Sequence, residues 1–273
     1  MKTVLLLTDF SDNSITAIRY SINFFANQDC KFVLMHAYMS PNAGASMLVS
    51  INDILHKEAV SGLKEIKENL LTEFPELENK LVTEAVYGDI ALAVKVIMND
   101  YDIHYIVMGT KGISNLEEML VGSSVSHIIK SVSVPVLAVP NKLKFEIPKK
   151  IGLAIDSEEK YKDSVFTETS TVAESFNAKL DLFTIDTGEN KLSNGVFEGY
   201  KRALNGSNYT LNIVQKDNIA EGIQEYVSEA DIDVLAMIAK KYSFLSRIFH
   251  RSMTKNMARM TTIPLLVFYE QNA

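Results

Sequence analysis

The sequence predicts an α/β protein that consists of two tandem doubly wound parallel sheets. Three observations carry this prediction: short apolar runs recur along the chain, amphipathic segments separate them, and the whole order repeats once. Runs that are apolar throughout are typical of parallel strands covered on both faces. Strands that alternate with helices indicate a sheet with helices on both sides.

Eight apolar runs are the candidate strands. In order they are VLLLT (4–8), FVLMHAY (32–38), YIVMG (105–109), VPVLAV (134–139), IGLAI (151–155), LDLFTI (180–185), VLAMIA (234–239) and PLLVF (264–268). The segments between them keep apolar residues on one helical face. Ile15, Ile18, Ile22 and Phe25 form one such face, and similar faces recur in 90–97 and 125–132.

The second half of the chain repeats the first. VLLLTDFS (4–11) aligns with IGLAIDSE (151–158), which places Asp9 over Asp156. GDIALAVKVI aligns with DNIAEGIQEYV, and Asp89 and Asp217 are the predicted N-caps of the corresponding helices. The second copy is shorter by about 20 residues, where the first has a long helical stretch from about Leu48 to Phe74.

The repeat predicts two domains, residues 1–142 and 148–273. Between them lies a charged, proline-flanked linker, PNKLKFEIPKK (140–150), of the kind that separates folded units. The first domain is expected to carry an intact ligand loop, described below, and the second a degenerate one.

Composition excludes several classes of protein. A formal net charge of −7 argues against a nucleic-acid partner, which would require a basic face. No apolar run approaches the roughly 20 residues of a membrane-spanning helix, so no membrane partner is expected. The single cysteine, Cys30, fits a reducing compartment. The sequence therefore predicts a cytoplasmic protein.

Three glycines lie at unequal spacing in MGTKGISNLEEMLVGSS (108–124), between a predicted strand and a predicted helix. Glycine lets a backbone turn tightly or approach a ligand closely. The start of the following helix offers free N–H groups, so we predict that the loop binds a phosphate. The segment lacks the P-loop lysine motif and the G-x-G-x-x-G motif, and GSSVS (122–126) lacks the last glycine of a nucleophile elbow.

The loop has the pattern glycine, two residues, glycine, nine residues, Gly-Ser, and it resembles the signature of the ATP-binding branch of the universal stress protein family. LLLTDFS, LMHAY and VPVLAVP match the family pattern in order, so the resemblance covers nearly the whole chain. It implies five-stranded, Rossmann-like sheets of the adenine nucleotide alpha hydrolase-like type. It also implies a stress-response protein that binds ATP, or ADP or AMP, with Mg²⁺ as a companion of the phosphates.

The resemblance also implies a set of nucleotide-binding residues. Asp9 would accept hydrogen bonds from the adenine or ribose, and the main chain of Ala37 would pair with the adenine edge. Gly109 and Gly112, at and after the end of the YIVMG strand, would close on the ribose and phosphates. Gly-Ser-Ser (122–124), at the start of the following helix, would meet the β- and γ-phosphates. The complete predicted set is Thr8, Asp9, Ala37, Met108, Gly109, Gly112, Gly122, Ser123 and Ser124.

The second copy lacks these glycines. Ile238, Lys241 and Arg251 stand at the three aligned positions, and only Ser252 keeps the serine. We therefore expect no ATP in the second domain, and we interpret the three glycines as ligand requirements rather than fold requirements. The five histidines show no metal-ligand spacing, so no metal site is expected.

Two functions stay open at this stage. In the first, the protein is a nucleotide sensor or binding module without catalytic residues, with at most slow ATP hydrolysis, because no general base and no P-loop lysine accompany the loop. In the second, it is a scaffold of the same fold, or it binds another small ligand. Family members commonly pair their sheets through the fifth strand of the domain, which corresponds here to VPVLAVP and IPLLVFY. The resemblance therefore implies that the two domains form an intramolecular pseudo-dimer. A homodimer of whole chains is left open.

Overall fold

The computed structural model describes residues 1–40, 45–110, 123–156, 162–188, 200–201, 204, 208–240 and 262–270. The N-terminal half contains β1 (Lys2–Leu7), α1 (Asp12–Phe24), β2 (Cys30–Tyr38), α2 (Ala45–Glu73), a 3₁₀ turn (Pro75–Leu77), β3 (Leu81–Tyr87), α3 (Ile90–Asp100), β4 (Ile103–Gly109), α4 (Ser123–Ser131) and β5 (Val136–Val139). The C-terminal half contains β6 (Lys150–Ala154), α5 (Asp163–Ser175), β7 (Lys179–Asp186), β8 (Tyr209–Gln215), α6 (Ile219–Glu229), β9 (Val234–Lys240) and β10 (Leu265–Glu270).

Within the described residues, ten strands form one sheet in the order β3-β2-β1-β4-β5-β10-β9-β6-β7-β8. Within each half all neighbouring strands are parallel. The second half has the same strand order as the first, read in the opposite direction along the sheet. The halves meet where β5 and β10 pair antiparallel, with Leu137 opposite Leu266. The predicted α/β class with doubly wound parallel five-stranded units is confirmed, and the two units share one continuous sheet.

All eight apolar runs are strands, but two further strands, β3 and β8, were not among them. These two are the outermost strands of the sheet, and most of their residues are only partly buried. Edge strands pair with a neighbour on one side only and are commonly more polar than central strands. LVTEAVY and YTLNIVQ accordingly contain no continuous apolar run.

Helices cover both faces of the sheet. Alternate residues of a strand point to opposite faces, so Val4 and Leu6 join one core and Leu5 and Leu7 join the other. The first core receives α1, α2 and α5, and the second receives α3, α4 and α6. Both cores contain residues of both halves, so hydrophobic packing continues across the β5–β10 pair.

One of the two predicted helix caps is confirmed and the other is wrong. The carboxylate of Asp89 accepts hydrogen bonds from the backbone N–H groups of Ala91 and Leu92, as an N-cap does. At α6 the cap is Asn218, whose side chain accepts from Ala220 and Glu221, and not Asp217. The repeat places Asn218, not Asp217, opposite Asp89, so the predicted cap was one residue too early.

The connection between the halves is a packed segment. β5 ends at Val139 and β6 begins at Lys150, and the side chains of Leu143 and Phe145 between them pack against the first core. The carboxylate of Asp233 accepts hydrogen bonds from the backbone N–H groups of Lys149 and Lys150, at 2.7 and 2.9 Å. Among the described helices, none is long and apolar enough to cross a membrane.

Candidate functional site

The candidate site lies where the direction of strand succession reverses. β1 lies between β2 and β4, and the chain builds outward from β1 to β3 before it returns to β4 and β5. In such sheets, ligands bind in the crevice at the carboxyl ends of the strands that flank this switch point. Thr8 and Asp9 follow β1, Ala37 lies near the end of β2, and Met108 and Gly109 end β4. The structure thus brings five of the predicted residues to one edge.

Thr8 shapes the turn between β1 and α1. Its buried hydroxyl is 2.9 Å from the hydroxyl of Ser14 and accepts a hydrogen bond from the backbone N–H of Phe10 at 3.0 Å. Its own N–H donates to the carbonyl of Met35 at the end of β2. The Thr8 side chain is therefore engaged inside the fold, and it fixes the position of the residues that follow.

The carboxylate of Asp9 is held by Ser11, the residue that precedes α1. Its Oδ1 accepts hydrogen bonds from the Ser11 N–H at 3.1 Å and from the Ser11 hydroxyl at 2.5 Å. Ser11 is also the N-cap of α1, and its hydroxyl accepts from the N–H of Ser14. The carboxylate therefore has a defined orientation at the carboxyl edge of β1.

Between Asp9 and Ser11 the backbone adopts an unusual conformation. Phe10 has φ 65°, a left-handed value that costs a non-glycine residue about 1–2 kcal/mol. Its ring is 38% exposed and lies against the His36 ring, with centroids 4.1 Å apart. The His36 Nδ1 is 2.8 Å from the carbonyl oxygen of Thr8, and since a carbonyl only accepts, Nδ1 is the donor. His36 thus ties the end of β2 to the end of β1.

Gly109 has a packing reason that involves no ligand. A Cβ atom at this position would lie 2.3 Å from the Asn13 Nδ2, 2.8 Å from its Cγ and 3.1 Å from its carbonyl oxygen. A side chain here would therefore displace Asn13 of α1. The interpretation of this glycine as a ligand requirement alone is too narrow, because its close packing against Asn13 involves no ligand.

The phosphate end of the predicted site is described only in part. Gly112 and Gly122 lie outside the described residues, as do Lys241, Arg251 and Ser252 of the second copy. Helix α4 begins at Ser123, and the side chain of Ser124 is exposed. In the second copy, Ile238 is fully buried in β9.

The hydrogen-bonding groups at this edge are of the kinds that an adenine nucleotide would require. A carboxylate at the end of β1 can accept from ribose hydroxyls or an exocyclic amine, and the main chain near the end of β2 can pair with a base edge. The N–H groups and hydroxyls at the start of α4 suit phosphate oxygens. In the part of the chain that the structure describes, no three or more His, Cys, Asp and Glu side chains cluster as metal ligands would.

Sequence reasoning missed three residues of this edge. Phe10, Asn13 and Gly62 were not predicted. Asn13 packs against Gly109, and the Phe10 ring packs against Gly62 and His36. A glycine inside a helical pattern, such as Gly62 in α2, is a recognisable signal of close packing. The positive φ of Phe10 leaves no sequence signal, because glycine or asparagine would be the usual residue there.

Comparison with known proteins agrees with this architecture. The family model described as the universal stress protein family matches residues 1–140. The universal stress protein MJ0531 of Methanocaldococcus jannaschii is similar to this chain, with 31% identity over 147 residues that cover 52% of the chain and 84% of the relative. The universal stress protein MJ0577 of the same organism is 25% identical over 155 residues, which cover 52% of the chain and 96% of the relative.

A solved structure extends the likeness over both halves. A universal stress protein from Archaeoglobus fulgidus superposes with a TM-score of 0.70 at 17% identity, covering 99% of this chain and 97% of that one. At this identity the likeness shows the fold alone. The family model, however, spans more than half of the 273 residues. The chain belongs to the universal stress protein family.

Proposed function

We propose that the protein is a stress-response sensor that binds ATP, or another adenine nucleotide, at the carboxyl edge of β1, β2 and β4 in its N-terminal half. The single observation that carries this proposal is the gathering of Asp9, Ala37 and Gly109 at the switch point between β1 and β4. Open α/β sheets bind their ligands at this place. The second half, which lacks the three glycines, holds no ATP in this proposal.

Each end of the nucleotide would have its own partners. Asp9 would accept from the nucleoside through Oδ2, because Oδ1 already accepts two hydrogen bonds from Ser11. The main chain of Ala37 would pair with the base, and the phosphates would lie at the start of α4. A Mg²⁺ ion would be held mainly by phosphate oxygens and water.

Binding without rapid turnover is the proposed activity. The loop contains no P-loop lysine and no evident general base that would activate water, so ATP hydrolysis would be slow at most. The pairing of β5 with β10 supports a further part of the proposal, an intramolecular pseudo-dimer of the two halves.

A scaffold without a nucleotide is the second candidate, and one observation favours it. Asn13 accounts for Gly109 without any ligand, so that glycine alone does not require a nucleotide. The two candidates differ in a property that is measured directly, namely the affinity of the purified chain for ATP.

The test is calorimetric titration with ATP and Mg²⁺, after denaturing release of any copurified nucleotide. We expect one site per chain. Asp9→Asn keeps an oxygen that can accept from Ser11 but removes the charge, and it should weaken binding by roughly tenfold, the usual value of a charge-assisted hydrogen bond. The matched control is Asp156→Asn at the aligned position of the second half, which should bind as the wild type does.

Gly122→Arg places in the first loop the residue that the second copy carries, and it should abolish binding. Absence of both binding and released nucleotide from the wild type would contradict the nucleotide sensor and favour the alternative, a scaffold or a binder of another small ligand. Two sites per chain, or equal losses from Asp9→Asn and Asp156→Asn, would contradict the assignment to the first half.

A further inference from the structure

Helix α2 rests directly on the edge that holds the candidate site. The connection that contains it is about 20 residues longer than its counterpart between β7 and β8. α2 meets the edge at two points: Gly62 faces the ring of Phe10, and the His56 Nδ1 lies 2.9 Å from the hydroxyl of Tyr38 at the end of β2.

The contact at Gly62 leaves no space. A Cβ atom there would lie 2.8 Å from the Phe10 Cε1 and 2.9 Å from its Cζ, closer than real side chains approach. The Phe10 ring also packs against His36, with centroids 4.1 Å apart, and the His36 ring is itself tied to Thr8. The ring therefore lies between α2 and β2, and a side chain at position 62 would force the ring to move.

This packing explains how the strained backbone of Phe10 persists. A positive φ in a bulky residue is maintained only where the surroundings fix it. The Phe10 N–H donates to the Thr8 hydroxyl, and its ring is clamped between His36 and Gly62. Asp9 and Ser11 flank this residue on either side, so the clamp also sets the direction of the Asp9 carboxylate.

We propose that Gly62 is a positioning residue of the nucleotide site: by admitting the Phe10 ring, it holds the turn that aims Asp9 at the ligand. The inference rests on the proposed function for its ligand. It adds that α2 acts on the nucleoside end of the ligand, because the clamped turn carries Asp9 and not the phosphate-binding start of α4.

The test uses Gly62→Ala in the full-length protein. Alanine favours a helix over glycine, so the variant should fold, but its methyl group displaces the Phe10 ring. We expect affinities for adenosine, AMP and ATP to fall by the same factor, roughly three- to tenfold, as a forced side-chain rearrangement implies. In the ligand-free protein, the Phe10 and Ser11 amides should exchange hydrogen faster.

Two further variants isolate the mechanism. Gly222→Ala in α6 is the matched control, because that helical glycine is also crowded, by Ile185 and Lys216 at 3.0 Å, but lies in the other half. It should change neither affinity nor the exchange of the two amides. In a Phe10→Ala background the ring is gone, so adding Gly62→Ala should cause no further loss of affinity.

The outcomes separate this inference from the proposed function. Unchanged affinity and unchanged amide exchange in Gly62→Ala would overturn the inference, as would a loss that persists in the Phe10→Ala background. A loss for ATP but not for adenosine would also overturn it. If the wild type binds no nucleotide, the proposed function fails and the role of Gly62 toward a nucleotide fails with it; amide exchange then shows only whether Gly62 holds the turn that carries Asp9, and unchanged exchange would refute that as well.

Discussion

A buried polar cluster distinguishes the two halves at the scale of single residues. Asp181 in β7 is 4% exposed, and its carboxylate accepts hydrogen bonds from the Asn212 amide at 2.7 Å and from the Tyr226 hydroxyl at 3.1 Å. The aligned residue of the first half is Val33, which is also buried. A buried carboxylate is tolerated only when it is hydrogen-bonded, so Asp181 depends on both of these donors.

Tyr226→Phe tests that dependence through the pH profile of stability. Burial, together with the nearby Asp181, raises the pKa of Tyr226 to about 12. A raised pKa means that the stabilisation from the neutral phenol is complete below pH 10, the ordinary pKa of tyrosine, and is lost as the pH rises through about 12. Below pH 10 the variant should lose about 1–2 kcal/mol of unfolding free energy, because Asp181 loses a donor.

Urea denaturation at a series of pH values measures both effects. Between pH 10 and 12 the unfolding free energy of the variant should decline less steeply than that of the wild type. Tyr101→Phe is a useful comparison, since a hydrogen bond to Glu84 at the protein surface raises the pKa of Tyr101 to about 12 and its loss should matter less below pH 10. Parallel profiles for wild type and Tyr226→Phe would contradict the prediction.

Residue reasoning from the sequence located most of the candidate site but not all of its causes. Asp9, Ala37 and Gly109 could be placed at one edge, because the carboxyl ends of parallel strands meet there. The need for glycine at position 109 was visible, yet its neighbour Asn13 was not, because packing between α1 and β4 is a long-range property. The clamp around Phe10 was hidden for the same reason.

At the scale of elements, the sequence located strands by apolar runs and helices by their buried faces. Val125, Ile128, Ile129 and Val132 are all buried in or next to α4, as their spacing predicted. The edge strands escaped because their open sides make them partly polar. The two predicted caps were located to within one residue, which is the difference between Asp217 and Asn218 at α6, whereas α2 begins three residues before the predicted Leu48.

That one-residue difference has a measurable consequence. Asn218→Ala removes the acceptor for the N–H groups of Ala220 and Glu221 and should lower the unfolding free energy by about 1 kcal/mol. Asp217→Ala should have little effect, because Asp217 lies outside the helix. Thermal unfolding of both variants, with Asp89→Ala as the reference cap in the first half, is the measurement. A larger loss from Asp217→Ala would contradict the assignment of Asn218 as the cap.

At the scale of the whole molecule, the two halves are joined by more than their sheet. Phe24 of α1 lies against Phe176 after α5, with ring centroids 5.0 Å apart, and Phe145 of the connection contacts both Tyr20 and Phe176. The Asn27 side chain donates to the carbonyl of Ser175 at 3.1 Å. The sequence showed the duplication but gave no indication of this aromatic junction, since its members are far apart in the chain.

Phe24→Ala should therefore destabilise both halves together. Phe24 is fully buried, so its truncation should cost about 3–5 kcal/mol of unfolding free energy. Hydrogen exchange under mildly denaturing conditions should show the amides of β1 and of β7 losing protection by the same amount. Phe166→Ala, a buried site within the second half, provides the reciprocal case. Loss of protection confined to the half that carries the substitution would show that the halves unfold independently.

The antiparallel pairing of β5 with β10 within one chain also changes how the protein responds to dilution. A sheet assembled from separate chains comes apart as concentration falls, because its interface is governed by mass action. Here the two halves are joined by the short packed segment between β5 and β6. The effective concentration of one half at the other is therefore fixed by geometry and not by the concentration of the protein. The pairing of β5 with β10 within one chain is therefore not expected to open as the protein is diluted.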